Sequence, residues 1–456
     1  MSFEHKSSTH GDDHTAWVRQ LVERYFEIAA GQLRIDNVSV GDLANQFGTP
    51  FYAYSRAAID DNWQALRDTF PRQCDIYYSM KANPHPEFLR IFLAYGAGVE
   101  VASAGELRTA LHAGAAPTRI LFAGPGKTDA ELEFALQQGI GEIHAESWGE
   151  VQRIAKLADA LGCLARIGLR INPSLASAVG SLQMGGKPSQ FGIDEEQIDE
   201  VIDQTLALSS IKLVGLHLNT GTQLLDAQLV LAYYQHAVSL CQRVSQRIGR
   251  CLDTLDLGGG LGIPYFQGQS ELNLDQLKAG LDALPTDESL GARKLLLEPG
   301  RFLIGSAGVY VARVIDIKVS RGQTFVVLDG GMHHHLAASG NFGQLLRRPF
   351  PIAVLNRLNE SAGDSVSVVG PLCTPLDTLA RHVALPTIEL GDLVGIMQSG
   401  AYSRTSSPMQ FLGHPAPPEI LIDGGVARLI RRRGCWEDSL VDVVNGDEGQ
   451  CPSQAR

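Results

Sequence analysis

The sequence predicts an α/β fold, a (β/α)₈ barrel followed by a C-terminal domain of short strands. Three observations carry the prediction. Apolar, β-rich runs alternate with amphipathic segments eight times across roughly 230 residues. Polar residues gather at the C-terminal ends of those runs. After about Gly305 the long helical intervals stop, and strands follow one another through turns. A doubly wound sheet is the alternative, since alternation alone does not show closure.

The runs read as strands are Ile76–Met80, Gly98–Ala102, Ile120–Ala123, Glu142–Ala145, Ala165–Ile171, Lys212–Leu218, Thr254–Leu257 and Lys294–Leu297. Between them, segments such as Pro86–Ala94, Gly105–His112, Ala130–Gln138 and Gly149–Leu161 repeat apolar residues every three or four positions, as one face of a helix does. Barrel chemistry sits at the C-terminal strand ends. Lys81 closes the first run, Ser103 the second, Glu146 the fourth, Arg170 to Asn172 the fifth and His217 the sixth. Gly258 to Gly260 close the seventh, and Glu298 with Arg301 the eighth. Later strands are expected at Val309–Val319, Gln323–Leu328, Ser365–Val369, Leu393–Gln398, Glu419–Ile422 and Val426–Ile430, with Phe51–Tyr54 joining their sheet. The division is an N-terminal segment, 1–48, partly joining the β-domain, then a barrel, 49–307, and a β-domain, 308–431. A polar, patternless tail, 432–456, is read as loose.

At 456 residues the chain exceeds one ordinary core, so two domains are expected. Hydrophobic content of 44% with 19% charged residues describes a globular chain. The net charge of -12 argues against nucleic acid or an anionic membrane as partner, so an anionic cofactor has to be held by local geometry. Seven scattered cysteines fit no disulfide framework and point to a reducing compartment. Met1 to His14 is polar, and no later stretch reaches ~18 apolar residues. A cytoplasmic protein is expected.

Lys81 ends the run Ile76-Tyr-Tyr-Ser-Met-Lys. An ammonium at a strand mouth meets a ligand, and a desolvated lysine is a nucleophile toward aldehydes. An isolated lysine is more often a solvated surface residue. Two later motifs reverse that balance. Leu257-Gly-Gly-Gly-Leu-Gly262 lets backbone N–H groups approach a phosphate, because no Cβ blocks them. Glu298-Pro-Gly-Arg301 adds a carboxylate and an arginine. Together they meet the needs of a pyridoxal phosphate site. Each is weak alone: a glycine triplet is usually a turn, and a lone barrel histidine such as His217 is usually a buried hydrogen-bonder. His333, His334 and His335 alternate faces and cannot all address one ion, so no metal is expected.

These motifs stand in one order with His217 in Gly-Leu-His-Leu-Asn-Thr220-Gly, Cys373 followed by Asp377, and Gly400-Ala-Tyr402. The order resembles the fold-type III pyridoxal-phosphate decarboxylases, the diaminopimelate, ornithine and arginine decarboxylase group, from about Gly48 to Ile430. Met184–Asp194 and Met332–Gln344 resemble a narrower branch, associated with exosortase and polysaccharide gene sets and with carrier-protein-tethered aminoacyl substrates. The resemblance implies an alanine-racemase-like barrel, pyridoxal 5'-phosphate, and an obligate homodimer with shared active sites. It assigns Lys81 to the cofactor aldehyde and to proton movement at the α-carbon, and His217 to the face of the pyridine ring. Glu298 would hold the ring nitrogen protonated. Thr220, Gly258, Gly259, Gly260, Gly300, Arg301 and Tyr402 complete the cofactor contacts. Glu100 and Ser103 match the segment beside the lysine, although the family usually has aspartate at the first. Cys373 handles the proton delivered after CO₂ leaves, and the resemblance implies that Cys373 and Tyr402 come from the partner's β-domain.

Arg347 and Arg348 lie where the family places an arginine for a substrate carboxylate. Diaminopimelate enzymes carry Cys-Glu-Ser where this chain has Cys373-Thr374-Pro375-Leu376-Asp377, and ornithine-type enzymes place an aspartate after the cysteine. Neither grip on a basic substrate is intact, although Asp377 could substitute from a new angle, with Thr374 beside it. A different or larger substrate follows, including an aminoacyl group on a carrier protein. Glu298 favours a decarboxylase over a racemase, which gains from a weaker electron sink and typically has arginine there. The β-domain with Cys373 and Tyr402 argues against a non-catalytic pyridoxal phosphate carrier.

Overall fold

The computed structural model describes residues 9–174, 188–219, 221–285, 288–344 and 347–443. They form two compact units, one of 56–308 with 398–405, the other of the remainder.

In the first unit eight parallel strands run in order: Cys74–Ser79, Gly98–Val101, Ile120–Phe122, Glu142–Ala145, Ala165–Asn172, Ile211–His217, Leu252–Asp256 and Ala292–Leu297. Leu297 pairs with Ile76, which joins the last strand to the first, so the sheet closes into a barrel and the doubly wound alternative falls. The strands are buried along both faces, which is why they read as near-continuous apolar runs. The helices between them start at side-chain caps, as Ser103, Thr128 and Ser147 do, and two end on left-handed Gly139 and Gly162. Those caps fix where each strand end opens to the barrel mouth.

The second unit is a sheet running Thr378–Ala384, Ser365–Val369, Gln323–Leu328, Gly308–Ser320, Phe51–Ser55, Glu419–Asp423, Val426–Arg431, with Ile352–Val354 and Leu393–Ile396 branching from it. Phe51–Ser55 joins this sheet, as the sequence predicts, by pairing in parallel with Glu419–Asp423. Ile352–Val354 and Thr378–Ala384 were not predicted, one being three residues long and the other broken by Arg381 and His382. The N-terminal residues are more than a strand donor. Helices Thr9–Tyr25 and Val40–Phe47 flank a three-stranded sheet, and Val18, Leu33, Ile35 and Leu43 share a core with Phe51, Val309 and Ile420. Three boundaries therefore differ from expectation. Residues 49–55 belong to the sheet unit, and Gln398–Thr405 to the barrel unit. The expected loose tail is anchored at its start, where the Arg433 guanidinium donates to the carbonyls of Phe47 and Pro50, and continues into an exposed turn at Trp436–Leu440.

Candidate active site

Lys81 sits in a 3₁₀ turn, Met80–Ala82, directly after the first barrel strand. Its Nζ lies 3.2 and 3.3 Å from the two carboxylate oxygens of Glu100 on the second strand. Ser79 Oγ donates a very short hydrogen bond to the same carboxylate. Burial works against the Lys81 ammonium, but Glu100, Tyr402 and Glu298 outweigh it and raise its pKa above the ordinary lysine value. Ser103 instead caps the next helix, accepting from the Glu106 amide at 3.1 Å. Glu106 is pushed up to about 7, by burial first and the Glu100 charge second.

Glu298, at the end of the eighth strand, faces two imidazoles. Its Oε2 is 3.4 Å from His217 Nε2 and its Oε1 3.7 Å from His144 Nδ1. The imidazole rings lie 4.3 Å apart, centroid to centroid. Asp256 joins them, 3.8 Å from His144 Nε2. Burial pushes His217 down to about 4, against the pull of Glu298. Burial also opposes the Glu298 charge, yet His217, His144 and Lys81 outweigh it and lower its pKa well below the carboxylate range. Asp256, buried and beside that charge, is raised well above it. These directions favour the charged form of Glu298 and the neutral forms of His217 and Asp256. Both oxygens of Glu298, both ring nitrogens of His217 and Nε of Arg301 are buried without a hydrogen-bond partner among the described residues. Buried polar atoms without partners are costly, so this set is built to receive a polar group.

The glycines are required by contact. A Cβ on Gly259 would stand 2.4 Å from the Glu298 carbonyl, and one on Gly260 2.6 Å from that of Gly221. Gly300 packs as tightly, its Cβ position 2.9 Å from Ala82. Arg301 donates to Tyr265 Oη at 2.9 Å, and its guanidinium lies 4.6 Å from the Tyr402 ring centre. Tyr402 adopts a left-handed φ of 52°, strain of the kind kept at functional sites. Its amide donates to the Ala82 carbonyl at 2.8 Å, and Asn83 Nδ2 reaches the Gly400 carbonyl at 3.1 Å. Tyr402 therefore stands beside Arg301 of its own chain, which corrects the expectation that the partner supplies it. The segment 398–405 returns to the barrel after a strand of the sheet unit, a path that chain order does not reveal.

The substrate-side candidates lie in the sheet unit. Cys373 is exposed. Asp377 is buried, its two oxygens accepting from the amides of Met332 at 2.6 Å and Leu372 at 2.9 Å. It ties two loops together, so the expectation of a free acid reaching toward substrate is not met. Thr374 Oγ1 accepts from the Leu376 amide at 3.3 Å. Arg347 donates to Asn341 Oδ1 at 2.6 Å, and the Arg348 amide donates to Gln344 Oε1 at 2.9 Å. Thr220 and residues 184–187 of the Met184–Asp194 motif lie outside the described residues. The histidine triplet forms a buried turn: His334 Nε2 is 3.1 Å from the Pro415 carbonyl, and both ring nitrogens of His333 lack a partner among the described residues.

Sequence reasoning did not assign His144 or Asp256 to the site, and it placed Glu146 and Arg170 at strand ends without foreseeing that they pair, 2.8 Å apart. For His144 a signal existed, since Glu142 and His144 alternate on one strand and point the same way.

The family profile described as "Pyridoxal-dependent decarboxylase, pyridoxal binding domain" matches residues 56–305. An "L-glutamyl-[BtrI acyl-carrier protein] decarboxylase" of Niallia circulans is 39% identical over 413 residues, covering 89% of this chain and 96% of its own. A diaminopimelate decarboxylase of Zymomonas mobilis is 31% identical over 429 residues, covering 91% and 98%. The solved structure of diaminopimelate decarboxylase from M. jannaschii superposes with a TM-score of 0.84 at 26% identity, covering 94% and 99%. The chain belongs to the fold-type III pyridoxal-dependent decarboxylases. It is a pyridoxal phosphate-dependent carboxy-lyase, and the racemase and non-catalytic readings are not favoured. The partnerless atoms of Glu298, His217 and Arg301 and the glycine contacts fit that cofactor. Among the described residues no helix is long and apolar enough to cross a membrane.

Proposed function

We propose that this decarboxylase acts on an aminoacyl group tethered to a carrier protein, as a cytoplasmic homodimer with shared sites. The observation that carries the reading is the 39% identity to the carrier-protein-linked glutamyl decarboxylase, against 31% to the diaminopimelate enzyme. Thr374 and Pro375, where diaminopimelate enzymes carry glutamate and serine, support it. So does Asp377, whose oxygens are taken by backbone amides.

Pyridoxal phosphate bound here supplies the electron sink for the pair released when the bond from Cα to the carboxylate breaks. Lys81 supplies the amine for its aldehyde, held at the strand end by Glu100. Ionised Glu298 would keep the ring nitrogen protonated, and neutral His217 would face the ring without adding a cation. Gly258, Gly259, Gly260, Gly300 and Arg301 would hold the phosphate side, where the family resemblance also assigns Thr220, with the Tyr402 ring beside the Arg301 guanidinium. Cys373 of the partner subunit delivers the proton that replaces CO₂, and Arg347 or Arg348 receives a substrate carboxylate.

Two measurements test this. The holoenzyme should release CO₂ from glutamyl-carrier protein and leave free glutamate, diaminopimelate and ornithine almost untouched. Faster turnover of a free amino acid overturns the carrier reading. Mixing inactive Lys81→Ala with inactive Cys373→Ala protein should restore roughly a quarter of wild-type activity, because half the dimers are hetero and each rebuilds one of two sites. Exchange of subunits without recovery overturns the shared site.

A further inference from the structure

A second polar feature runs into the barrel from the opposite end. At the N-terminal ends of the strands lies a cavity of about 410 Å³, and Glu142 and Thr254 are among the residues lining it. Thr254 Oγ1 donates to Glu142 Oε2 at 3.0 Å, while Glu142 Oε1 is buried without a hydrogen bond and lies 3.5 Å from His144 Nε2. His144 in turn reaches Glu298 at 3.7 Å. Glu142, His144 and Glu298 are each at most 2% exposed. Barrel interiors are ordinarily packed with branched apolar side chains. Here two neighbouring strands carry glycine instead. A Cβ on Gly168 would stand 2.2 Å from Glu142 Oε1 and 3.1 Å from the His144 ring, and one on Gly215 2.9 Å from the same Glu142 oxygen. Glycine inside a strand weakens it and marks a close approach. These two make room for Glu142 and His144.

We propose that His144 is a positioning residue which, with Glu142, links the floor cavity to Glu298 and sets the protonation of the Glu298–Asp256 pair and of the cofactor nitrogen it faces. The step is a proton passed between carboxylate and imidazole, with N–H and O–H bonds alone made and broken. An imidazole can accept at one ring nitrogen while it donates from the other. Among the described residues the titratable groups facing His144 are Glu142, Asp256, Glu298 and His217, with Lys127 Nζ donating to the His144 carbonyl at 2.7 Å. Lys81 and Arg170 act on the Glu298–His217 end. Cys74 and Tyr77, which also face Asp256, are pushed up to about 12 by burial and stay neutral. On the floor, Arg166 and Lys212 pair with Asp253, Arg119 and Lys294 pair with Asp75, and Arg293 completes the charged lining.

The inference rests on Glu298 facing the ring nitrogen, and the test separates the two. Wild-type, His144→Asn, Glu142→Gln and Glu298→Gln holoenzymes are loaded with pyridoxal phosphate carrying nitrogen-15 in the ring, and its resonance is followed with pH. Cofactor stoichiometry and circular dichroism check the fold. His144→Asn and Glu142→Gln should bind cofactor fully yet lose the protonated-ring signal at a pH lower by about one unit or more, a tenfold change in the equilibrium. His144→Asn should also lower kcat about tenfold with KM unmoved. If His144→Asn does not fold, Glu142→Gln carries the test. Wild-type profiles in every folded variant of Glu142 and His144, beside an altered Glu298→Gln, overturn this inference alone. An unaltered Glu298→Gln profile overturns the placement of Glu298 and this inference with it.

Discussion

The barrel and the sheet unit both bury histidines, and they treat them in opposite ways. In the barrel, His144 and His217 stand against Glu142, Asp256 and Glu298, so each imidazole has an acid within 4 Å. In the sheet unit, His333 and His334 stand instead among rings and carbonyls, His333 3.7 Å from the His334 ring and 4.8 Å from that of His414, centroid to centroid. The Tyr52 hydroxyl donates to the His334 carbonyl at 2.6 Å, and Tyr310 Oη is 3.2 Å from His334 Nδ1. Burial, first among the causes, pushes His333 and His335 down to about 3. Burial favours the neutral imidazole in both places, His217 included, but in the barrel a carboxylate stands within reach of each ring as a proton partner.

The largest break in that contrast is at the barrel mouth. The holoenzyme should absorb visible light, and Lys81→Ala should lose both that band and all decarboxylation. A wild-type protein that stays colourless with added pyridoxal phosphate would show that Lys81 does not hold it.

Glu298→Gln should lower turnover at least ~100-fold, about 2.7 kcal/mol of transition-state stabilisation, since a neutral amide cannot hold a ring nitrogen proton. Cofactor binding should survive, because Arg301 and the glycines act elsewhere on it. Steady-state kinetics with undiminished kcat would remove Glu298 from the ring.

Gly168→Ala tests whether the polar column is packed or merely polar. The added methyl meets Glu142 and His144 inside a closed barrel, and overpacking of this kind costs ~1–3 kcal/mol. A urea midpoint equal to wild type would mean that the two side chains can move aside.

The last test concerns the histidine turn and is read as a slope against pH. The folded pKa values of His333 and His335 lie below the unfolded value near 6.5, so the folded state binds fewer protons. Their contribution is complete above about pH 6.5 and is lost as pH falls toward 3, by at most about 1.4 kcal/mol per pH unit for each histidine. His333→Leu should flatten the fall in urea midpoint between pH 6.5 and 4 by one histidine's share, because neither ring nitrogen has a bond to lose. An unchanged slope would place its titration elsewhere.

Much of this was legible along the chain. Strand runs, helix caps and turn glycines are local, and all eight barrel strands fall where apolar runs predict them. Lys81, His217, the glycine triplet and Glu298 could be read because barrel chemistry collects at strand ends, and a strand end is a local feature. Short strands such as Ile352–Val354 were lost because three residues show no period.

What the sequence determined, then, is the alternation that makes a barrel and the polar residues that end its strands. The tertiary structure decided which inward side chains meet. Glu142 and Glu298 are brought onto one histidine by barrel closure, which joins the last strand to the first and depends on stagger rather than on any local pattern. It decided also that Tyr402 returns to Arg301 from beyond the sheet unit's strands, and that backbone amides claim Asp377. Those outcomes are long-range contacts, and a chain's own periodicity carries no information about its distant neighbours.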